Sequence, residues 1–197
     1  MEKLELYHLH KINMTSKIWH EHAVITVDEN FKNPIFNRCQ KFTTAVDTGE
    51  DVKNLYDLLM QTSPNNLTAE KLRFLLSECY RVSFNANEFK REQALEAYRL
   101  QNASAKPSRL HSVYLTDEKG IEFWIKNFGA KDLELYRVEA EGNIFKSSDY
   151  LMPDEKYSYE KTFNESYKYW NPDFSKIEED RNEYLVQGKV KVLEKII

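Results

Sequence analysis

Glycine and proline are scarce in this chain, five of each among 197 residues, and the scarcity removes whole classes of function. Neither a Gly-x-Gly-x-x-Gly dinucleotide loop nor a phosphate-cradling P-loop is present, so any nucleotide must be held without a Rossmann fingerprint. No Gly-x-Ser-x-Gly elbow marks a serine hydrolase. The only two cysteines, Cys39 and Cys79, lie far apart with neither metal nor redox spacing. That is the pattern of incidental thiols in a reducing compartment, not of a disulfide scaffold. Charge of one sign is not in excess either: 28 basic against 32 acidic residues give a net charge of −4. Such a balance argues against binding nucleic acid mainly through its phosphates, while leaving room for a local basic groove. Apolar runs of about 18 residues are absent, and the first residues show no basic stretch leading into an apolar one. A cytoplasmic protein with no membrane partner is expected.

What is present suffices for one core: 41% of the residues are hydrophobic, enough for a single domain spanning 1–197. Leu4 to His10 alternates like a half-buried strand, and a short strand is expected near Ala23 to Val27, with loop elsewhere up to Phe42. Val52, Leu55, Leu58 and Leu59 recur at helical spacing, as do Leu72, Leu75, Leu76 and Cys79, with Ser63-Pro64-Asn65-Asn66 as the break between them. Thr68 is an N-cap candidate, and Asn85 or Asn87 another, so three consecutive helices are predicted up to Gln101. The aperiodic 103–108 segment then reads as a linker. Leu110 to Thr116 follows as a strand, and a helix from Asp117 carries Ile121, Trp124, Ile125 and Phe128 to a stop at Gly129. Glu141-Gly142 reads as a hairpin turn between Leu133 to Ala140 and Asn143 to Lys146. The Tyr-rich stretch Asp154 to Trp170 is helical, and two strands, Tyr184 to Gly188 and Lys189 to Leu193, close the chain. Strands at both ends with helices between them specify an α+β fold, with 47–102 as a helical insertion.

Three segments carry chemistry. Leu6-Tyr7-His8-Leu9-His10 puts a histidine at the end of a strand, and Arg109 to Asp117 puts Tyr114 on a strand that precedes a helix. Asn182-Glu183-Tyr184-Leu185-Val186 puts a carboxylate at the mouth of an apolar strand. The last run resembles the Asn-Glu-Tyr-Ile-Val that bears the catalytic glutamate of poly(ADP-ribose) polymerases. The ordered trio His8, Tyr114, Glu183 resembles the His-Tyr-Glu motifs of the ADP-ribosyltransferase superfamily, and the chain is similar to a small bacterial family of uncharacterised proteins assigned to it. The resemblance implies a split antiparallel sheet, with the insertion between the first and second motifs. It also implies NAD as substrate: His8 would bond the adenine-side ribose, Tyr114 would stack on nicotinamide, and Glu183 would be the catalytic carboxylate, all converging on one cleft. Leu9 departs from the pattern, since poly(ADP-ribose) polymerases have glycine there, where the backbone meets the nicotinamide amide. The acceptor of ADP-ribose is not specified by the resemblance.

A carboxylate suits the task. Breaking the N-glycosidic bond of NAD develops positive charge on the ribose, and a carboxylate bonded to the 2′-hydroxyl tightens its hold as that charge grows. Two rival readings remain. His8 with His10, and His20 with His22, form two His-x-His pairs that on strands would each point to one face and could chelate zinc; lacking a fourth ligand, they lead us to expect no metal. Alternatively, the same fold serves as a binding module without chemistry, with Tyr157, Tyr159, Tyr167, Tyr169 and Trp170 as an interaction face.

Overall fold

The structure, a computed structural model, describes residues 3–12, 18–40, 45–47, 52–63, 65 and 67–197. Parts of the predicted insertion, 48–51, and two residues of its internal break, Pro64 and Asn66, lie outside the described residues. The architecture is α+β around an open antiparallel sheet. Strand β1 (Lys3–Lys11) pairs with β6 (Leu133–Ser148), and β6 pairs along most of its length with β7 (Asn182–Lys195). The far edge of β7 is shared. Its first half binds β5 (Val113–Leu115) through Val186, and its second half binds β2 (Val24–Val27) from Gly188 onward.

At that changeover Gly142 of β6 faces Gly188 of β7, with φ of 142° and 151°. A Cβ on Gly142 would strike the Gln187 carbonyl, and one on Gly188 would strike that of Glu141. The predicted hairpin at Glu141-Gly142 is therefore corrected. The two backbones approach so closely there that only glycine fits, and both strands run through the point unbroken. For the same reason the two predicted C-terminal strands are one.

The sheet also curls until its edges meet once. Tyr7 of β1 and Thr116, just past β5, exchange two backbone hydrogen bonds of 2.8 and 2.9 Å. Pairing between β1 and β5 stops after that single bridge. Each face of the sheet has its own apolar cluster. One gathers Leu6, Ile25, Val27, Val113, Leu115, Val138, Ala140, Val186, Val190 and Val192. The other gathers Phe145, Leu185, Leu95, Tyr169 and Trp170.

Helices α1 (Pro34–Gln40), α2 (Leu55–Gln61), α3 (Ala69–Asn102), α4 (Ile121–Phe128) and α5 (Tyr159–Trp170) complete the molecule, with a two-stranded ladder of β3 (Ala45–Asp47) and β4 (Val52–Asn54). Val52 thus belongs to a strand and not to the first predicted helix, and α1 occupies part of the stretch expected to be loop. Thr68 caps α3 as expected, accepting from the Lys71 N–H. The third predicted helix does not exist separately. Asn85 and Asn87 lie inside the 34-residue α3; no glycine or proline interrupts it, and an internal asparagine costs well under about 1 kcal/mol of helix propensity. Burial of Ala94 and Leu95, both 0% exposed, outweighs that. The C-terminal half of α3 packs on α5, where the Trp170 indole N–H donates 2.9 Å to the Leu95 carbonyl. The inserted segment therefore supplies Leu95 to the second cluster, with Tyr98 packed against it.

Candidate functional site

Register decides which side chains meet. Tyr114 pairs with Leu185 across β5 and β7, and Glu183 lies two residues before Leu185, so Tyr114 and Glu183 share the face of the second cluster. The 3₁₀ turn Arg109–His111 leads into β5. Its Arg109 is held from several sides: the buried Asn33 side chain donates to the Arg109 carbonyl and, at 3.1 Å, to that of Ser112, while the Tyr114 hydroxyl donates to the Arg109 carbonyl at 2.9 Å.

The guanidinium thus fixed joins the elements. Its Nη1 lies 2.5 Å from Glu183 Oε1 and 2.5 Å from the Tyr169 hydroxyl of α5. On its other side Nε and Nη2 donate to both oxygens of Glu92, on α3, at 2.8 and 3.2 Å. The Tyr169 hydroxyl in turn donates to Glu183 Oε1. Both contacts to Glu183 fall on Oε1, and among the described residues none bonds to Oε2. Glu92, Arg109 and Glu183 are 2%, 3% and 5% exposed, so one guanidinium faces two carboxylates in a nearly dry setting. The rings of Tyr114 and Tyr169 flank it at 5.0 and 4.7 Å.

Protonation follows from burial and charge. Burial opposes the charge on Arg109, but the Glu183 and Glu92 carboxylates outweigh it and hold the group well above the usual guanidinium value. Burial pushes the phenols of Tyr114 and Tyr169 well above their ordinary range, although Arg109 pulls the other way, so both remain hydroxyl donors. Asp149, in the turn after β6, is raised by burial and then by the Glu183 charge. It lines a cavity of about 510 Å³ with Arg91, Tyr150, Met152, Tyr157 and Lys168.

His8 is placed differently. Alternation along β1 puts its ring with Leu6, on the face of the first cluster, opposite the face of Tyr114 and Glu183. Convergence of all three on one cleft is thereby corrected to a pair plus an edge contact. The edge contact exists because β1 and β5 part after the Tyr7–Thr116 bridge. In the gap His8 Nδ1 donates to the Tyr114 carbonyl at 3.0 Å, and Trp19 stacks on the ring at 3.7 Å. Burial pushes the imidazole down to about 3, so it is neutral, and its Nε2 is an acceptor. Leu9 lies at the same gap. The Tyr7 backbone groups point at β5, so those of Leu9, two residues on, point the same way past the end of the pairing.

The remaining histidines do not assemble a chelate. His10 Nε2 contacts Glu134 at 2.9 Å, and His20 and His22 sit in the turn before β2, not on a strand, with His22 at φ 65°. Among the described residues no group of three or more His, Cys, Asp or Glu side chains could hold a metal, and no helix is long and apolar enough to cross a membrane.

The residues of the cluster, with His8, all fall inside a segment matched by one family model. That model, described as "Protein of unknown function (DUF2441)", matches residues 6–197. The chain belongs to the DUF2441 family. Comparison with curated proteins finds no match. In this DUF2441 protein the sequence reading missed Arg109 and Glu92, and it set Tyr169 and Trp170 in an interaction face although both are 0% exposed. Arg109 stood at the start of a quoted motif, but nothing local distinguishes a buried arginine from a solvated one. Glu92 lies among charged residues of α3, and only the packing of α3 on α5 reveals that it faces inward.

Proposed function

We propose that this protein is an NAD-binding, ADP-ribosyltransferase-like enzyme acting through Glu183, on a split-sheet domain of that superfamily, and that it works in the cytoplasm. One observation supports the reading most strongly. Glu183 is buried at the head of β7 with Oε1 fixed by Arg109 and Tyr169 and Oε2 left for a ligand, on the same face as Tyr114. In the reaction, the bond between the nicotinamide nitrogen and ribose C1′ breaks, and its electron pair leaves with the ring. Glu183 Oε2 accepts from the ribose 2′-hydroxyl while positive charge grows on the sugar. An acceptor nucleophile then bonds C1′ and loses its proton; if the acceptor is water, the products are nicotinamide and ADP-ribose. Tyr114 supplies an aromatic surface beside that carboxylate. His8, on the opposite face, holds the Tyr114 carbonyl and so steadies the strand that carries Tyr114. No metal takes part.

A second reading, a module of this fold that binds without chemistry, draws on the ion pair already on Glu183 and on Trp19 covering His8. Nicotinamide release from NAD separates the two, and calorimetry with NAD, ADP-ribose and nicotinamide tests the binding that the enzyme reading requires. The enzyme reading predicts heat with NAD and with at least one fragment, and NAD affinity within about threefold of wild type for Glu183→Gln, whose amide keeps a hydrogen bond. Folded protein that gives no heat with any of the three contradicts it.

A further inference from the structure

Arg109 poses an electrostatic difficulty for the site. A guanidinium 2.5 Å from Glu183 Oε1 would repel a positive charge growing near the same carboxylate, and in a nearly dry setting that repulsion is screened little. Glu92 removes the difficulty. It takes Arg109 in a two-pronged grip at 2.8 and 3.2 Å from the side opposite Glu183, so the three groups carry a formal charge of one positive against two negative. Buried charges are seldom left unbalanced without cause, and of the four oxygens of these two carboxylates Glu183 Oε2 is the one that no described residue bonds.

We propose that Glu92 and Arg109 are positioning residues for Glu183. Arg109, with Tyr169, holds Oε1 so that Oε2 is presented in one orientation. Glu92, delivered by the inserted helix α3, balances the guanidinium so that Glu183 confronts the reacting sugar as a net anion. The inserted segment is thereby part of the catalytic apparatus, acting through Arg109 and not by touching substrate. This inference rests on the NAD reading of the same site.

The contrast between charge and shape at position 92 tests it. Glu92→Gln keeps the shape and one acceptor but removes the charge, whereas Glu92→Asp keeps the charge and shortens the reach. Nicotinamide release is followed with NAD as the only substrate, alongside thermal melting of each variant. The expectation is that Glu92→Gln lowers kcat about tenfold or more with KM nearly unchanged, and that Glu92→Asp stays within about fivefold of wild type. Arg109→Lys, which keeps the charge balance but loses the fork, should also lower kcat more than it raises KM. Wild-type release that Glu92→Gln leaves unchanged overturns the positioning role while the NAD reading stands. So does a Glu92→Asp variant slower than Glu92→Gln, since shape would then matter and charge would not. Absence of nicotinamide release and of NAD binding in folded wild type overturns both.

Discussion

The imidazole of His8 donates to a backbone carbonyl and stacks on an indole, so adding a second proton would place a charge where water is largely excluded. Its folded value, pushed down to about 3, lies below the ordinary 6.5 of the unfolded chain. The unfolded state therefore binds more protons between those two values, and stability must fall as pH drops from about 6.5 toward 3. The slope is at most about 1.4 kcal/mol per pH unit from this one group. Melting temperatures across that window should decline less steeply for His8→Gln, whose amide can still donate to the Tyr114 carbonyl; an identical slope would remove His8 from the account. At this scale the strand positions of Glu183 and Tyr114 were legible, because each sits in a short run with a strand pattern of its own. Arg109 and Glu92 were not legible, since their meaning lies in a contact between residues 17 apart in sequence on separate elements.

Among the elements, β6 and β7 show where local patterning fails. A glycine beside a glutamate in an alternating run has the same appearance at a hairpin tip and at the centre of a long strand; only the partner, Gly188 opposite Gly142, distinguishes them. Substituting Gly188→Ala forces a Cβ against the Glu141 carbonyl at a φ of 151°, so a loss of roughly 2 kcal/mol or more is expected in chemical denaturation. A change below about 0.5 kcal/mol would mean that the strands do not cross so closely. Helix α3 teaches a related lesson. The two asparagines that suggested a new N-cap are weak local preferences, and they yield to the burial of Leu95 and to the packing of α5. The strands at both chain ends, the Thr68 cap and the stop at Gly129 were legible because each is set by a few neighbouring residues.

Across the whole molecule, two features with no local signature build the site. The sheet curls until β1 meets β5 at a single bridge, which brings His8 to the Tyr114 backbone. The inserted α3 packs on α5 and delivers Glu92 to Arg109, which binds Glu183. Residues from α3, the 3₁₀ turn, α5 and β7 thus act as one unit, and the α+β class read from the order of elements is the frame that holds them. The claim at the centre of this account is that Glu183 breaks the glycosidic bond of NAD. Incubating wild type and Glu183→Gln with NAD labelled in its adenylate half, alone and with a cell lysate, tests it most directly. The account predicts ADP-ribose, free or attached to an acceptor, formed by wild type and reduced about a hundredfold or more by Glu183→Gln; equal product from both proteins, or none from either, would contradict it.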